Sequence, residues 1–347
     1  MNYISKIARH AAALGITAML AGAPVASGKH AYENPSYGNR VEYGAQKSQA
    51  KPPKRPAQKK AAPKILTLEQ KIELYFKSLK TGGYLNPTDS LFVTVHDTDT
   101  GRRHASINED REIMAASTIK DFVMLAYYDQ VQRGGIKNTK KDERLLRTMI
   151  QRSSNGATNQ IINRVGGPAA VEAVLGARYP FFDETDVREY IPNGGRTYRN
   201  KTSTHDLNIF YNQLWHNRFP IRRDLHEKMK GHLAAPKTDR LYDRTCIPEG
   251  MKVWNKTGTV YGQVSDSGIL QFKDDKGQYH RYIVSVAIED RTKTDTDNRD
   301  ESYRKWVKER AEVIRSISEG VYDFMATMYN GGYMCEQHKG RHLGSLQ

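Results

Sequence analysis

The spacing of hydrophobic positions after Thr67 changes from a helical period to that of a strand. Thr67 and Gln70 have the spacing of a capping box, which predicts that a helix begins there. The chain from 91 to 96 alternates between apolar and polar residues, Asp99-Thr100-Gly101 predicts a hairpin turn, and 104–107 is predicted to be the returning strand. The apolar face of the first helix comprises Ile72, Tyr75, Phe76 and Leu79.

The middle of the chain has helical periodicity, and strand patterns return only near its end. Three strands are predicted over 252–258, 268–272 and 279–288, followed by a long helix over 301–328. Because both ends supply strands and the middle supplies helices, we expect an α+β fold. Its five-stranded antiparallel sheet is flanked by the terminal helices, and a reduced all-helical lobe is inserted. The helices of this lobe are predicted over 117–133, 141–152, 156–164, 168–175, 204–217 and 222–233.

Two segments precede this pattern and one follows it. Residues 1–27 have a basic start, a short apolar run and small residues, as a secretory signal peptide does. The apolar run is shorter than the roughly 20 apolar residues that a membrane-spanning helix needs. The alternative to a signal peptide is a core helix that lies at the terminus. Residues 28–64 are predicted to be a disordered linker, 65–330 the folded domain, and 331–347 a tail. The protein is therefore expected to be exported to the periplasm or the extracellular space, without a transmembrane span in its mature form.

The net charge of +15 bears on partners more than on fold. Residues 44–64 of the linker hold seven positive charges, so this stretch can make an electrostatic contact with an anionic cell envelope, or serve simply as a solvated tether. Nucleic acid is not expected as a partner, because the basic run lacks interleaved aromatic residues. The seven charges are Lys47, Lys51, Lys54, Arg55, Lys59, Lys60 and Lys64.

The two cysteines, Cys246 and Cys335, do not form a metal-binding pattern. Export would permit a disulfide between them, but the sequence leaves two free thiols equally open. No metal and no organic cofactor is implied.

One Ser-x-x-Lys motif stands in a setting that suits a nucleophile. Ser117 and Lys120 share a helical face at the start of an apolar-faced helix, where a partly desolvated lysine can act as a base. Ser48–Lys51 lies in the linker and Ser302–Lys305 in a densely charged stretch, so neither is favoured.

Two further motifs carry groups that could serve such a serine. Ser153-Ser154-Asn155 lies between two helices and offers a hydroxyl and an amide, although a helix N-cap is the plainer interpretation. Lys256-Thr257-Gly258-Thr259 ends a predicted strand, whose edge can pair with an extended acyl amide. The competing Lys80-Thr81-Gly82 is typical of a helix C-terminus.

This ordered set resembles the class A β-lactamases and penicillin-recognising enzymes. The flanking Gly166-Gly167-Pro168 and Ile191-Pro192-Asn193 are similar to that family as well, over roughly residues 67–328. The resemblance implies catalytic roles for Ser117 as the acylated nucleophile, Lys120 as its base and Ser153 as the proton relay. It implies substrate binding by Asn155, Lys256, Thr257, Gly258 and Thr259, and an oxyanion hole formed by the N–H groups of Ser117 and Thr259.

The same resemblance assigns the activation of the hydrolytic water to Glu184, eight residues before Pro192. Arg188 replaces the family's asparagine, and an arginine at this place can pair with Glu184, lower its pKa and weaken it as a base. Only 36 residues separate Ser117 from Ser153, which implies a smaller lobe and a more open cleft. The family's arginine beyond the Lys-Thr-Gly strand is not visible, and Ser267 stands near its place.

Three functions therefore remain open. The first, and the expected one, is β-lactam hydrolysis by a serine hydrolase, and the second is a D,D-peptidase activity on cell-wall peptides. The third is a penicillin-binding or sensor domain that is acylated without turnover. Substrate is accordingly expected to be a β-lactam or a cell-wall peptide.

Overall fold

The computed structural model describes residues 65–234, 237–292 and 301–330, which contain a five-stranded antiparallel sheet and eight α-helices. The predicted signal peptide, linker and tail lie outside these residues and stay predictions. The strands are β1 (Ser90–Asp97), β2 (Arg103–Ile107), β5 (Lys252–Val260), β6 (Gln263–Lys273) and β7 (Tyr279–Glu289), and the two-residue strands β3 (Ile113–Met114) and β4 (Lys201–Thr202) pair separately. The helices are α1 (Leu68–Thr81), α2 (Ile119–Gln132), α3 (Lys140–Gln151), α4 (Asn155–Val165), α5 (Pro168–Arg178), α6 (Thr204–Trp215), α7 (Arg223–Leu233) and α8 (Glu301–Met328).

The sheet has the order β2-β1-β7-β6-β5 and joins strands from both ends of the chain. The first and last strands of this set meet where β1 pairs with β7, Leu91 opposite Ile288. β5 pairs only with β6 among the described strands and is therefore an edge strand. The predicted α+β architecture is confirmed.

Helices cover both faces of the sheet, and each face has its own hydrophobic core. α1 and α8 pack on one face, where Ile72 and Ile314 are fully buried with Val284. α6 packs on the other face, where the helical lobe brings Phe122 and Phe210 into one core with Ile283. Because both faces are covered, β6 is buried along nearly its whole length.

Helix ends follow from capping residues in the sequence. Thr67 and Gln70 form the expected capping box at the start of α1. Ser154 caps α4 by accepting a hydrogen bond from the backbone N–H of Ala157, so the middle residue of the Ser-x-Asn motif has the capping role. α4 ends at Gly166 with a φ of 110°, which glycine adopts without strain, and Pro168 then begins α5.

Candidate functional site

Ser117 lies in a short 3₁₀ turn, Ala116–Thr118, that leads directly into α2. Ala116 has a φ of 48°, in the left-handed region that a non-glycine residue adopts at a cost of roughly 1–2 kcal/mol. Ser153, which faces Ser117 from the loop before α4, has a φ of 51°. Strained backbone on both sides of one pair of hydroxyls is typical of a functional site.

The Lys120 side chain connects two sequence motifs, Ser-x-x-Lys and Ser-x-Asn, through its Nζ atom. Its Nζ lies 2.6 Å from Ser117 Oγ and 3.2 Å from Ser153 Oγ. It also donates to the Ser153 carbonyl at 3.1 Å and to Asn155 Oδ1 at 3.0 Å. The residue as a whole is fully buried, so four oxygen atoms replace the water that a lysine would otherwise bind.

Ser153 joins the two lysines to Ser117. Its hydroxyl donates to Ser117 Oγ at 2.9 Å and accepts from Lys256 Nζ at 3.1 Å. Lys256 comes from β5, whereas Lys120 comes from the helical lobe, so the sheet and the lobe each supply one lysine to the same hydroxyl. Lys256 also donates to the Thr257 carbonyl at 2.9 Å.

Gly258 permits β5 to approach the turn Ala116–Thr118, which carries Ser117, the predicted nucleophile. We call this turn the nucleophile turn. A Cβ at this position would lie 2.3 Å from Ser265 Oγ, 3.2 Å from Thr118 Cγ2 and 3.4 Å from the Ala115 carbonyl oxygen. A side chain at residue 258 would therefore crowd both Ser265 and the turn that carries Ser117. Thr257 and Thr259 flank this contact on β5, and the Thr259 hydroxyl donates to the Gly258 carbonyl.

Burial changes the proton affinity of both lysines. Desolvation, followed by the nearby positive charge of Lys256, lowers the pKa of Lys120 well below its usual value. Desolvation also lowers the pKa of Lys256, to about 8, although the carboxylates of Asp121 and Asp266 oppose this shift. Burial thus makes both ammonium groups easier to deprotonate, and a Lys120 amine that has lost its proton can accept one from Ser117.

Two buried carboxyl groups near Lys256 were missed by sequence reasoning. Asp121 follows Lys120 on α2 and accepts a hydrogen bond from the Tyr211 hydroxyl at 2.9 Å. Desolvation raises its pKa to about 7, against the opposing charge of Lys256. Asp266 on β6 accepts from Asn255 Nδ2 at 2.8 Å, and burial raises its pKa to about 6. The sequence signal that could have indicated these two residues is a charged side chain at a position where the pattern of the helix or strand expects an apolar one.

Family membership follows from a sequence comparison that agrees with this geometry. The model of a family described as "Beta-lactamase enzyme family" matches residues 86–143 and 142–325. The chain belongs to the beta-lactamase family. It is accordingly a β-lactamase-like serine hydrolase. No curated protein matches the chain.

Solved structures of this family share the fold at low sequence identity. An acyl-enzyme complex of a point mutant of PBP-A with penicillin G is 19% identical with a TM-score of 0.58, over 75% of this chain and 96% of that one. A class A β-lactamase from Bacteroides cellulosilyticus is 18% identical with a TM-score of 0.58, over 76% and 100%. An ancestral class A β-lactamase is 20% identical with a TM-score of 0.58, over 74% and 99%.

Arg240, which the sequence analysis did not single out, lies beside β5. Its guanidinium donates to the carbonyls of Gly258 at 3.2 Å and Ser265 at 2.8 Å, and to Thr259 Oγ1 at 2.7 Å. Ser267 was placed by the sequence analysis near the position of the family's arginine. Its hydroxyl is buried and forms a hydrogen bond with the hydroxyl of Ser285. Arg240 was missed because the family's arginine was sought after β5, near Ser267. Arg240 instead lies before β5, in an irregular stretch.

Glu184 lies in the loop after α5, and its backbone N–H donates to Asp206 Oδ2 at 2.9 Å. The hydrogen bonds of the Ser117 and Lys120 side chains go to one another, to Ser153 and to Asn155, so within the described ranges Glu184 is not hydrogen-bonded to these two side chains. The Arg188 guanidinium, for which pairing with Glu184 was one possibility, pairs with Asp186, two residues away.

The acidic and sulfur-bearing residues offer no metal site in the described part of the chain. No group of three or more His, Cys, Asp or Glu side chains in residues 65–234, 237–292 and 301–330 has the arrangement of metal ligands. Cys246 takes part in a disulfide, while the chain's other cysteine, Cys335, lies outside these ranges. No helix within the ranges combines the length and apolar character needed to cross a membrane.

Proposed function

We propose that this enzyme forms an acyl-enzyme on Ser117 and hydrolyses β-lactams. The observation that carries the proposal is the continuous set of contacts from Lys120 to Ser117, from Ser117 to Ser153, and from Ser153 to Lys256, each between 2.6 and 3.1 Å. Such a set supplies a base for the attacking hydroxyl and a donor for the leaving nitrogen.

The proposed acylation moves protons along these contacts. Lys120 takes the proton of Ser117 as its oxygen bonds to the substrate carbonyl carbon, and the Ser153 hydroxyl gives a proton to the leaving nitrogen as the C–N bond breaks. Ser153 is then reprotonated from the adjacent lysines, whose amines lie 3.1 and 3.2 Å away. The depressed pKa of Lys120 supports its part as base, since a lysine with an ordinary pKa would be protonated at neutral pH.

Substrate binding is proposed along β5. The carbonyl oxygen would lie between the backbone N–H groups of Ser117 and Thr259, which stand on two elements that Gly258 brings into contact. Asn155 would hold the substrate amide, and the Lys256 ammonium would attract the substrate carboxylate together with the hydroxyls of Thr257 and Thr259.

Hydrolysis of the acyl-enzyme is proposed to depend on Glu184 as the base for water. A second candidate function is a D,D-peptidase, or a penicillin-binding sensor that is acylated without rapid turnover. The observation that favours this alternative is that a similar structure, of a PBP-A point mutant, is an acyl-enzyme complex with penicillin G.

One experiment separates these functions. The purified protein is incubated with a chromogenic cephalosporin and, separately, with a fluorescent penicillin, and the adduct is followed by mass spectrometry. Rapid turnover that Glu184→Ala converts into a persistent adduct supports the β-lactamase. A persistent adduct in the unmodified protein supports the peptidase or the sensor, and a D-alanyl-D-alanine peptide then distinguishes those two.

The control is Ser117→Ala, which removes the proposed nucleophile. An adduct that survives this change, or no adduct in the unmodified protein, would overturn acylation at Ser117.

We also propose that the protein is exported and that residues 28–64 tether the enzyme near an anionic envelope. The support is compositional: a signal-like start and seven positive charges with few apolar residues.

A further inference from the structure

A cavity of about 340 Å³ lies between the loop before β5, the β5 residue Thr257 and the first half of α8. Five of its lining side chains are cationic and two are acidic. It is large enough for a substituent of a small ligand, and it adjoins the strand along which substrate is proposed to bind. The cationic residues are Arg240, Arg244, Arg304, Lys308 and Arg315.

We call this cavity the α8 groove. Its two acidic side chains each have hydrogen-bond or ion-pair partners in the protein. Asp239 Oδ1 accepts the backbone N–H groups of residues 241, 242 and 243 at 2.7 to 3.0 Å. Glu312 pairs with Arg315 at 3.0 Å. The five lining cations therefore outnumber the two lining carboxylates, and the groove keeps a net positive charge.

The cations of the α8 groove differ in how closely a carboxylate approaches them. The Arg240 guanidinium donates to neutral oxygens at 2.7 to 3.2 Å, although the charges of Asp266 and Asp239 also act on it. Arg304 and Lys308 project from α8, are exposed, and form no ion pair within the described ranges. Arg244 has only Asp243 nearby, at 3.6 Å. Unneutralised charge of one sign around a concave surface attracts a ligand of the opposite sign.

We propose that the α8 groove is a subsite for a second anionic group on the substrate, in addition to the carboxylate that Lys256 attracts. The substrate class is therefore an acyl amide with at least two negative charges, one of which lies beyond Thr257 toward α8. This inference rests on the proposed function, because it concerns how the same strand receives its substrate.

The position of the groove fits this assignment. Thr257 lines the groove and neighbours Lys256, while Arg240 bonds to the next two residues of β5, Gly258 and Thr259. A substrate paired with this strand therefore has a continuous path from the Ser117 hydroxyl to the exposed cations of α8. Carboxylate is the simplest group that arginine forks and a lysine recognise there.

Two cephalosporins with the same acyl side chain test the proposal. Cefotaxime has a neutral substituent on its six-membered ring, whereas ceftriaxone has an acidic heterocycle at that position. We expect the second-order rate constant for acylation of Ser117 to favour ceftriaxone by about three- to tenfold at low salt, as expected for two partly exposed ion pairs. The preference is expected to shrink as the ionic strength rises.

The test variant is Arg304→Gln with Lys308→Gln, and the matched control is Lys305→Gln. Lys305 stands between the two on α8 but does not line the groove. We expect the double variant to bring the ratio close to one, and the control to keep it. Equal rates for the two compounds in the unmodified protein, or a ratio that the double variant leaves unchanged, would overturn the subsite.

Equilibrium binding to Ser117→Ala separates this proposal from the proposed function. Titration calorimetry with the same two compounds measures the preference without acylation. If the unmodified protein forms no adduct while Ser117→Ala still prefers ceftriaxone, the subsite stands and the proposed function fails. If both compounds acylate Ser117 at equal rates, the function stands and the subsite fails.

Discussion

Gly258 is the residue whose substitution tests the close packing of the site most directly. Gly258→Ala would place a Cβ 2.3 Å from Ser265 Oγ and 3.2 Å from Thr118 Cγ2, so the Ser265 side chain must turn away and Thr118 must shift slightly. We expect a loss of about 1–3 kcal/mol in the free energy of unfolding, as for other overpacked sites, and slower acylation. Urea unfolding and the rate of reaction with a fluorescent penicillin measure the two effects.

The control for this change is Gly176→Ala, in the interior of α5. No atom lies within 4 Å of the new Cβ there, and alanine favours a helix over glycine by up to about 1 kcal/mol. Equal stability and equal rates for both variants would contradict the close approach of β5 to the nucleophile turn.

Lys256 predicts how acylation depends on pH. A lysine loses its positive charge as the pH rises through its pKa, which is about 8 for this buried group. We therefore expect the second-order acylation rate to fall above about pH 8, because the attraction for the substrate carboxylate is lost. Lys256→Arg is expected to be slower throughout but to lack this decline, since arginine stays charged.

Lys305→Arg, on the exposed part of α8, serves as the matched control and is expected to keep the decline above pH 8. The same alkaline decline in Lys256→Arg would assign it to another group.

The polar side chains of the site explain why sequence reasoning found some members and missed others. Ser117, Lys120, Ser153, Asn155 and Lys256 belong to short motifs, and the structure brings these five together. The contacts of the missed residues are made across the fold instead. Asp121 meets Tyr211 from 90 positions away, and no local pattern indicates such a contact.

At the scale of elements, periodicity predicted the helices within a few residues and the sheet strands less evenly. β6 was expected over 268–272 but begins at Gln263, because buried polar residues interrupt its apolar run. The predicted helix over 117–133 begins with a 3₁₀ turn, and β3 and β4 are too short to show any period. Tertiary contacts decide such segments, and a local window does not contain them.

The first turn of α6 holds a carboxyl group that should make stability depend on pH. Asp206 Oδ2 accepts hydrogen bonds from Thr185 Oγ1 at 2.7 Å and from the Glu184 N–H at 2.9 Å, while Oδ1 has no hydrogen-bond partner among the described residues. Desolvation raises its pKa from 3.8 to about 7, with the charges of Asp183 and Glu184 acting in the same direction.

The folded protein thus keeps this proton between about pH 4 and pH 7, whereas the unfolded chain releases it. The free energy of unfolding should therefore decrease as the pH rises through this range, by up to about 1.4 kcal/mol per unit. Asp206→Asn removes that contribution to the slope in urea titrations. Asp275→Asn, an exposed change in the turn after β6, is expected to keep it, and an identical slope in both variants would refute the assignment.

For the whole molecule, one buried ion pair connects the C-terminal helix to the sheet. The Arg310 guanidinium on α8 pairs with Asp89, which directly precedes β1, and both residues are almost fully buried. Arg310→Met leaves the Asp89 carboxylate without its cation, so we expect a loss of about 3–5 kcal/mol in the free energy of unfolding. Urea unfolding at neutral pH is the measurement.

The double variant Asp89→Asn with Arg310→Met is the companion test. It removes both charges and should recover part of the loss, since no unpaired charge stays buried. A double variant whose loss equals the sum of the single changes would show that the two residues act independently.

The edge position of β5 has a consequence for how this protein behaves at high concentration. A strand that is open to receive an extended acyl amide is equally open to a strand from another chain, so this edge is where self-association and fibril seeding would begin. Lys252, exposed at the start of β5, is a charge that discourages such docking. The unpaired edge of β5, along which substrate is proposed to bind, is thus also the surface on which the solubility of the protein depends.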